Sequence, residues 1–202
     1  MLCLRRFHLY RVNLGLTGEE YFTFNNKKLS INVLSFWQWS SSDLLVNVLR
    51  GKLAEFIVAS SIDLIENQRE EWDAYDLITE KGLKVEIKSS AYLQSWNQAK
   101  LSKITFGIQP TVVWLDNNQR SKTIKRQADI YVFCVLNHKD KKTVNPLNLN
   151  QWNFYIIDTK ILNSERTNQK TITLSSLLEL NPEKLDYSGL EDSIRRYEIK
   201  LK

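Results

Sequence analysis

The sequence predicts an α/β domain, a mixed β-sheet flanked by helices, and three observations lead there. A helical pattern over residues 44–62 precedes two strand patterns joined by a turn. Two further apolar strand runs, ADIYVFCVL and WNFYIIDT, come before a tail of helical character. No internal repeat or Pro/Gly-rich linker divides the 202 residues, which hold three prolines and six glycines, so a single domain over residues 1–202 is expected. At 43% hydrophobic and 25% charged residues, the chain is neither disordered nor collagen-like.

Taken in order, residues 1–28 read as a strand-containing lead-in, with a turn signal at Asn25–Lys28. LSINVLSFWQW is an apolar patch that periodicity assigns to neither helix nor strand. Ser40, Ser41, Ser42 and Asp43 offer caps to the helix LLVNVLRGKLAEFIVASSI. Its buried face is expected at Leu45, Val48, Leu49, Leu53, Phe56 and Ile57. WDAYDLIT alternates as a strand, Glu80-Lys81-Gly82 is a turn, and LKVEIKSSAY is the returning strand. Residues 97–110 are assigned to neither helix nor strand, with ITFGI a candidate strand edge; TVVWL is a short apolar run and DNNQRSKTIKRQ a polar loop. ADIYVFCVL is the central strand, with Cys134 a buried thiol. SSLLEL has a serine cap and short helical character, and residues 189–198 suit a last amphipathic helix through Leu190, Ile194 and Tyr197.

Charge and cysteine bound the function. Lys plus Arg number 28 against 23 acidic residues, a net +5 that favours a polyanionic partner. Cys3 and Cys134 form no CxxC pair, which argues against a cysteine metal site and points to a reducing, cytoplasmic setting. No signal peptide or membrane span is read, so no membrane association is expected. Zinc-protease, lipase, NTPase and dinucleotide fingerprints are all missing.

The turn carries the chemistry. With Gly82 in the left-handed region, Thr79 faces Leu83, Leu77 lies opposite Val85, and Asp76 falls opposite Glu86. Ala74 falls opposite Lys88. Two carboxylates side by side are destabilising unless a cation compensates, and oxygen ligands of this kind suit Mg²⁺ or Mn²⁺. Asp73 has the other parity and is rejected. Glu55, on the helix, is a third acid able to reach the rim, and Lys88 stands where it can orient or deprotonate a water. Ser90 and Tyr92 continue this face, and Gln94 extends it. Without further support, the same charges would read as a solvated salt-bridge cluster.

These residues also carry a family likeness. The helix glutamate, the aspartate on the first strand and the E-x-K on the next resemble the PD-(D/E)xK, or restriction-endonuclease-like, nucleases. DAYDLITEKGLKVEIKSSAYLQSW followed by RQADIYVFCVL resembles a group of small bacterial proteins with that fold. The resemblance covers roughly residues 42–158, leaving the ends as additions. It implies a core of one helix, three consecutive antiparallel strands, a helix and a further strand. It also implies Mg²⁺ held by Asp76, Glu86 and the Ile87 carbonyl, with Lys88 assisting the attacking water. Glu55 would contact a second metal or position the lysine, and Gln94 would match the polar residue beyond E-x-K. Tyr75 stands where the family's proline usually precedes the aspartate.

The expected function is thus a Mg²⁺-dependent endodeoxyribonuclease, of restriction type or from repair. Restriction implies a homodimer and a cognate methyltransferase or other nuclease subunit. Arg120, Lys122, Lys125 and Arg126 are the expected phosphate contacts, with Lys139, Lys141 and Lys142 a second patch. The competing readings are a catalytically inactive or partner-dependent nucleic-acid-binding subunit, and a protein-interaction scaffold using the six tryptophans.

Overall fold

A computed structural model describes residues 15–65, 74–114 and 120–201. The chain forms two compact units, residues 1–42 and 43–202. In the first, β1 (Tyr21–Phe24) and β2 (Lys27–Asn32) form a hairpin closed by Asn25 and Asn26, both at positive φ. Two asparagines suit such a turn, because their short polar side chains tolerate the left-handed region. The apolar patch resolves into the end of β2 and helix α1 (Val33–Ser41), opened by a reciprocal cap between Asn32 and Ser35.

The second unit begins with α2 (Asn47–Ser61), and here two expectations are corrected. Ser40 and Ser41 close α1 instead of capping α2, and Asp43 turns its carboxylate onto the Leu45 N–H at 3.1 Å. The buried stripe is also rotated: Arg50, Ala54, Ile57, Val58 and Ala59 face inward, while Val48 and Phe56 are exposed. Small side chains at 54 and 59 let the helix lie close against a sheet.

β3 (Leu77–Ile78) and β4 (Lys84–Ala91) pair in the expected register, Leu77 with Val85, and the Thr79 N–H bonds the Leu83 carbonyl at 2.9 Å. Gly82 has φ +88 with open space where a Cβ would stand. A Gly82→Ala substitution is therefore expected to cost about 1–2 kcal/mol through backbone strain alone, readable as a lower chemical-denaturation midpoint.

After β4 the chain leaves the sheet. β5 (Thr105–Gly107) pairs elsewhere, and β6 (Thr111–Trp114) with β7 (Arg120–Lys125) makes a separate hairpin. Residues 120–125, read from sequence as loop, are thus strand. β8 (Ile130–Leu136), fully buried, then returns parallel to β4, and β9 (Trp152–Asp158) runs antiparallel to β8. A helix α3 (Thr159–Glu165), strand β10 (Thr171–Thr173) on β5, helix α4 (Leu174–Leu178), strand β11 (Glu183–Leu185) on β9 and helix α5 (Leu190–Lys200) complete the unit. Thr173, not a serine, caps α4.

The main sheet has the order β11-β9-β8-β4-β3 and is mixed, as expected. The three successive antiparallel strands that the resemblance implies after the helix are not found among the described residues, because β3 pairs with β4 but β5 joins β10. Nor do the described residues between β4 and β8 form a helix. One sheet face packs Val85, Ile87, Val132, Cys134 and Ile156 against α2 and α5; the other packs Phe133, Val135 and Tyr155 against Phe106, Leu162 and Leu177. Cys134 is a free, buried thiol. The buried Glu198 of α5 takes an ion pair from Lys81 at 3.3 Å and so ties the β3–β4 turn to the last helix. Among the described residues no helix is long and apolar enough to cross a membrane.

Candidate active site

β3 is only two residues long, so β4 becomes the sheet edge where its acidic and basic side chains begin. There the Asp76 N–H still bonds the Val85 carbonyl at 3.1 Å, and its Oδ2 accepts the Ile87 N–H at 2.6 Å. The carboxylate thereby continues the ladder that β3 abandons. Ile87's carbonyl leaves the strand on the same side as its N–H, toward Asp76. Glu86 and Lys88 share the next face and form an ion pair, both side chains partly shielded from solvent. Alternation along β4 places Val85 and Ile87 in the core and these two charges outside it.

α2 packs on the opposite face and brings half-buried Glu55 close enough for its charge to act on both Asp76 and Lys88. Burial first, then repulsion from Glu86, pushes the Asp76 carboxyl up from 3.8 to about 6, against the pull of Lys88 and the Ile87 N–H. Burial works against the Lys88 ammonium, but Glu86, Asp76 and Glu55 outweigh it, so its pKa is raised and it keeps its proton. Tyr131, beside Glu86 on β8, is driven upward by burial and then by Glu86.

This has a consequence for stability. A carboxyl with a higher pKa when folded binds its proton more tightly in the folded chain. Asp76 therefore stabilises below about pH 4, and that contribution is lost as pH rises toward and past 6. In EDTA, the melting temperature of the parent is expected to fall between pH 4.5 and 7 relative to an Asp76→Asn variant.

Not every expected site residue gathers here. Glu55 acts at charge range and does not close a three-acid ligand set; among the described residues no three His, Cys, Asp or Glu side chains are so grouped. Gln94, expected beside the metal, is buried in another network. Its amide oxygen accepts from Arg50 at 3.3 Å and its Nε2 donates to the Ala91 carbonyl at 3.0 Å. Arg126, expected on phosphate, is 5% exposed and donates to the Ile108, Leu162, Arg166 and Gln169 carbonyls and to Asn163 Oδ1. Lys125 is exposed, while the side chains of Arg120 and Lys122, and all of Asp73, lie outside the described residues.

Arg50 is the residue that sequence reading missed. It is 4% exposed and reaches Ser89 Oγ at 3.3 Å, the Leu45 carbonyl at 2.9 Å and Asn47 Oδ1 at 2.7 Å. Its signal was its place in the inward stripe, four residues before Ala54.

Fold and site together define an α/β protein with a carboxylate–lysine cluster on an exposed sheet edge. The family model of bacteriophage T4 endonuclease IV matches residues 25–176, more than half of the chain, and the chain belongs to that family. It is therefore a nuclease by family. No curated protein and no solved structure matches it.

Proposed function

We propose that the chain is a Mg²⁺-dependent endodeoxyribonuclease of the PD-(D/E)xK kind, acting through Asp76, Glu86 and Lys88. The observation that carries this is the crowding of acidic charge around one half-buried aspartate at a strand edge, an arrangement that costs stability unless a cation occupies it. The family's description as a bacteriophage endonuclease supports a nucleic-acid substrate, which we take to be DNA.

The donor set fits the ion. Mg²⁺ commonly takes one or two carboxylates and keeps several waters, so Asp76, Glu86 and the Ile87 carbonyl suffice, without a third acid. When bound, the ion supplies Lewis-acid stabilisation of charge on the phosphate. Lys88, protonated and held by Glu86, orients the water for in-line attack and neutralises charge developing on the phosphate oxygens. A raised pKa makes it a poor general base, which favours the orienting role over deprotonation. Attack of water oxygen on phosphorus breaks the bond to the 3′ oxygen; the water gives up a proton to solvent and the departing 3′ oxygen takes one from solvent, leaving a 5′-phosphate and a 3′-hydroxyl. Glu55 tunes the charge of Asp76 and Lys88 from the neighbouring helix.

Cleavage of supercoiled and linear DNA at low salt with Mg²⁺, Mn²⁺ or EDTA is the test. Cutting in either metal and none in EDTA is expected. Discrete fragments would support a restriction-type enzyme with a methyltransferase partner and a homodimer; a smear would point to a repair or degradative role. DNA binding without cutting in any metal would sink the catalytic reading and favour a partner-dependent binding subunit.

A further inference from the structure

Resting on the nuclease reading, we propose that the loops following β4 and β8 form the surface that grips the substrate strand, with Trp96 stacking on a base and the surrounding lysines holding its phosphates. β4 and β8 are parallel neighbours, so the segments leaving them, 92–103 and 137–143, emerge at the same end of the sheet. The two are fastened together: Lys141 Nζ donates to the carbonyl of Gln94 and, at 3.4 Å, to that of Ser95. Lys139 stands over the Tyr92 ring at 4.7 Å.

The first loop is cross-linked by its own hydrogen bonds. Gln98 accepts the Gln94 N–H at 2.6 Å and donates to Ser102 Oγ at 2.9 Å, while Gln94 is braced by Arg50 from α2. What this framework presents to solvent is an indole, Trp96, 55% exposed. These bonds order the backbone on both sides of Trp96 and leave its ring in solvent, the kind of platform that base stacking uses.

Charge points the same way. Lys100, Lys103, Lys139, Lys141 and Lys142 are all exposed here. Asp140 is the single acid in both segments, and its carboxylate is occupied by the Lys142 N–H and the Thr143 hydroxyl. From Lys88 to Tyr92 is four strand residues, about 13 Å. The surface therefore lies a few nucleotides from the reacting phosphate. Lys125, by contrast, sits beside an arginine already buried in a carbonyl cage.

The test is binding of a fluorescein-labelled oligodeoxynucleotide in EDTA, where no turnover occurs, across a salt series. Trp96→Ala is expected to weaken binding about 5-fold or more, with Trp96→Phe retaining most of it. Lys139→Ala with Lys142→Ala should flatten the slope of log affinity on log salt by about 1.4–1.8. Lys184→Ala, on β11 at the opposite sheet edge, should leave that slope unchanged. Loop variants that bind as the parent does, while the parent cleaves DNA, would overturn this assignment and leave the nuclease reading standing. The same holds if Lys184→Ala flattens the slope as much per lysine. A parent that neither binds nor cleaves DNA would overturn both.

Discussion

Asp76→Asn is expected to make the protein more stable at pH 7 and nearly inactive. The amide oxygen can still accept the Ile87 N–H, so the backbone link at the end of β3 survives. What disappears is a charge held in a half-buried place beside Glu86 and Glu55. With the carboxyl pushed from 3.8 to about 6, the relief is at most about 3 kcal/mol in the metal-free protein. Cleavage should fall about 10²–10³-fold, as when a preorganised charge is taken from a reacting phosphate. Glu86→Ala and Lys88→Ala should lose activity on the same scale. Thermal melts in EDTA beside cleavage rates in Mg²⁺ read both quantities. The combination discriminates, because a structural salt-bridge cluster would lose stability on substitution. A destabilised variant that still cut DNA would return these residues to that bland role.

Arg126→Ala carries the largest expected loss of stability, about 3 kcal/mol or more. Its guanidinium satisfies carbonyls from the end of β5, from α3 and from the segment beyond it, with one bond to Asn163. Removing it takes the donor from the carbonyl of buried Ile108 and leaves a guanidinium-sized void, while the Leu162 and Arg166 carbonyls keep the Arg166 and Gln169 N–H groups; lost packing and an unmet acceptor together are the costly case. Arg126→Lys should rescue little, since one ammonium cannot span a planar fork's partners. Urea unfolding measures this directly. Under native conditions the salt dependence of DNA affinity should not change. A stable Arg126→Ala protein with a flattened salt slope would restore the phosphate contact first read from sequence.

How far the sequence reaches differs from residue to residue. The register of Leu77 on Val85 was legible because it follows from one turn and an alternation of period two. The burial of β8 was legible because a run such as IYVFCVL has no polar side to offer water. The neighbourhood of Asp76, Glu86 and Lys88 came with that register, since all three lie within a few residues of one turn. α2 shows the limit: periodicity put Val48 and Phe56 on the buried face, and packing against β4 turned the helix instead toward the stripe containing Arg50, Ala54 and Val58.

From sequence alone the α/β class, the register of β3 on β4 and the strand that bears Glu86 and Lys88 could be read. Tertiary structure alone decided that β5 leaves the main sheet for β10, that Gln94 braces a loop instead of touching the site, and that Arg126 is caged while Trp96 is exposed. The reason is range. Turn geometry and side-chain alternation act over a handful of residues. Whether a cation meets water or a set of carbonyls depends on segments tens of residues away, such as Leu162 and Arg166 against Arg126, and only the folded chain brings them together.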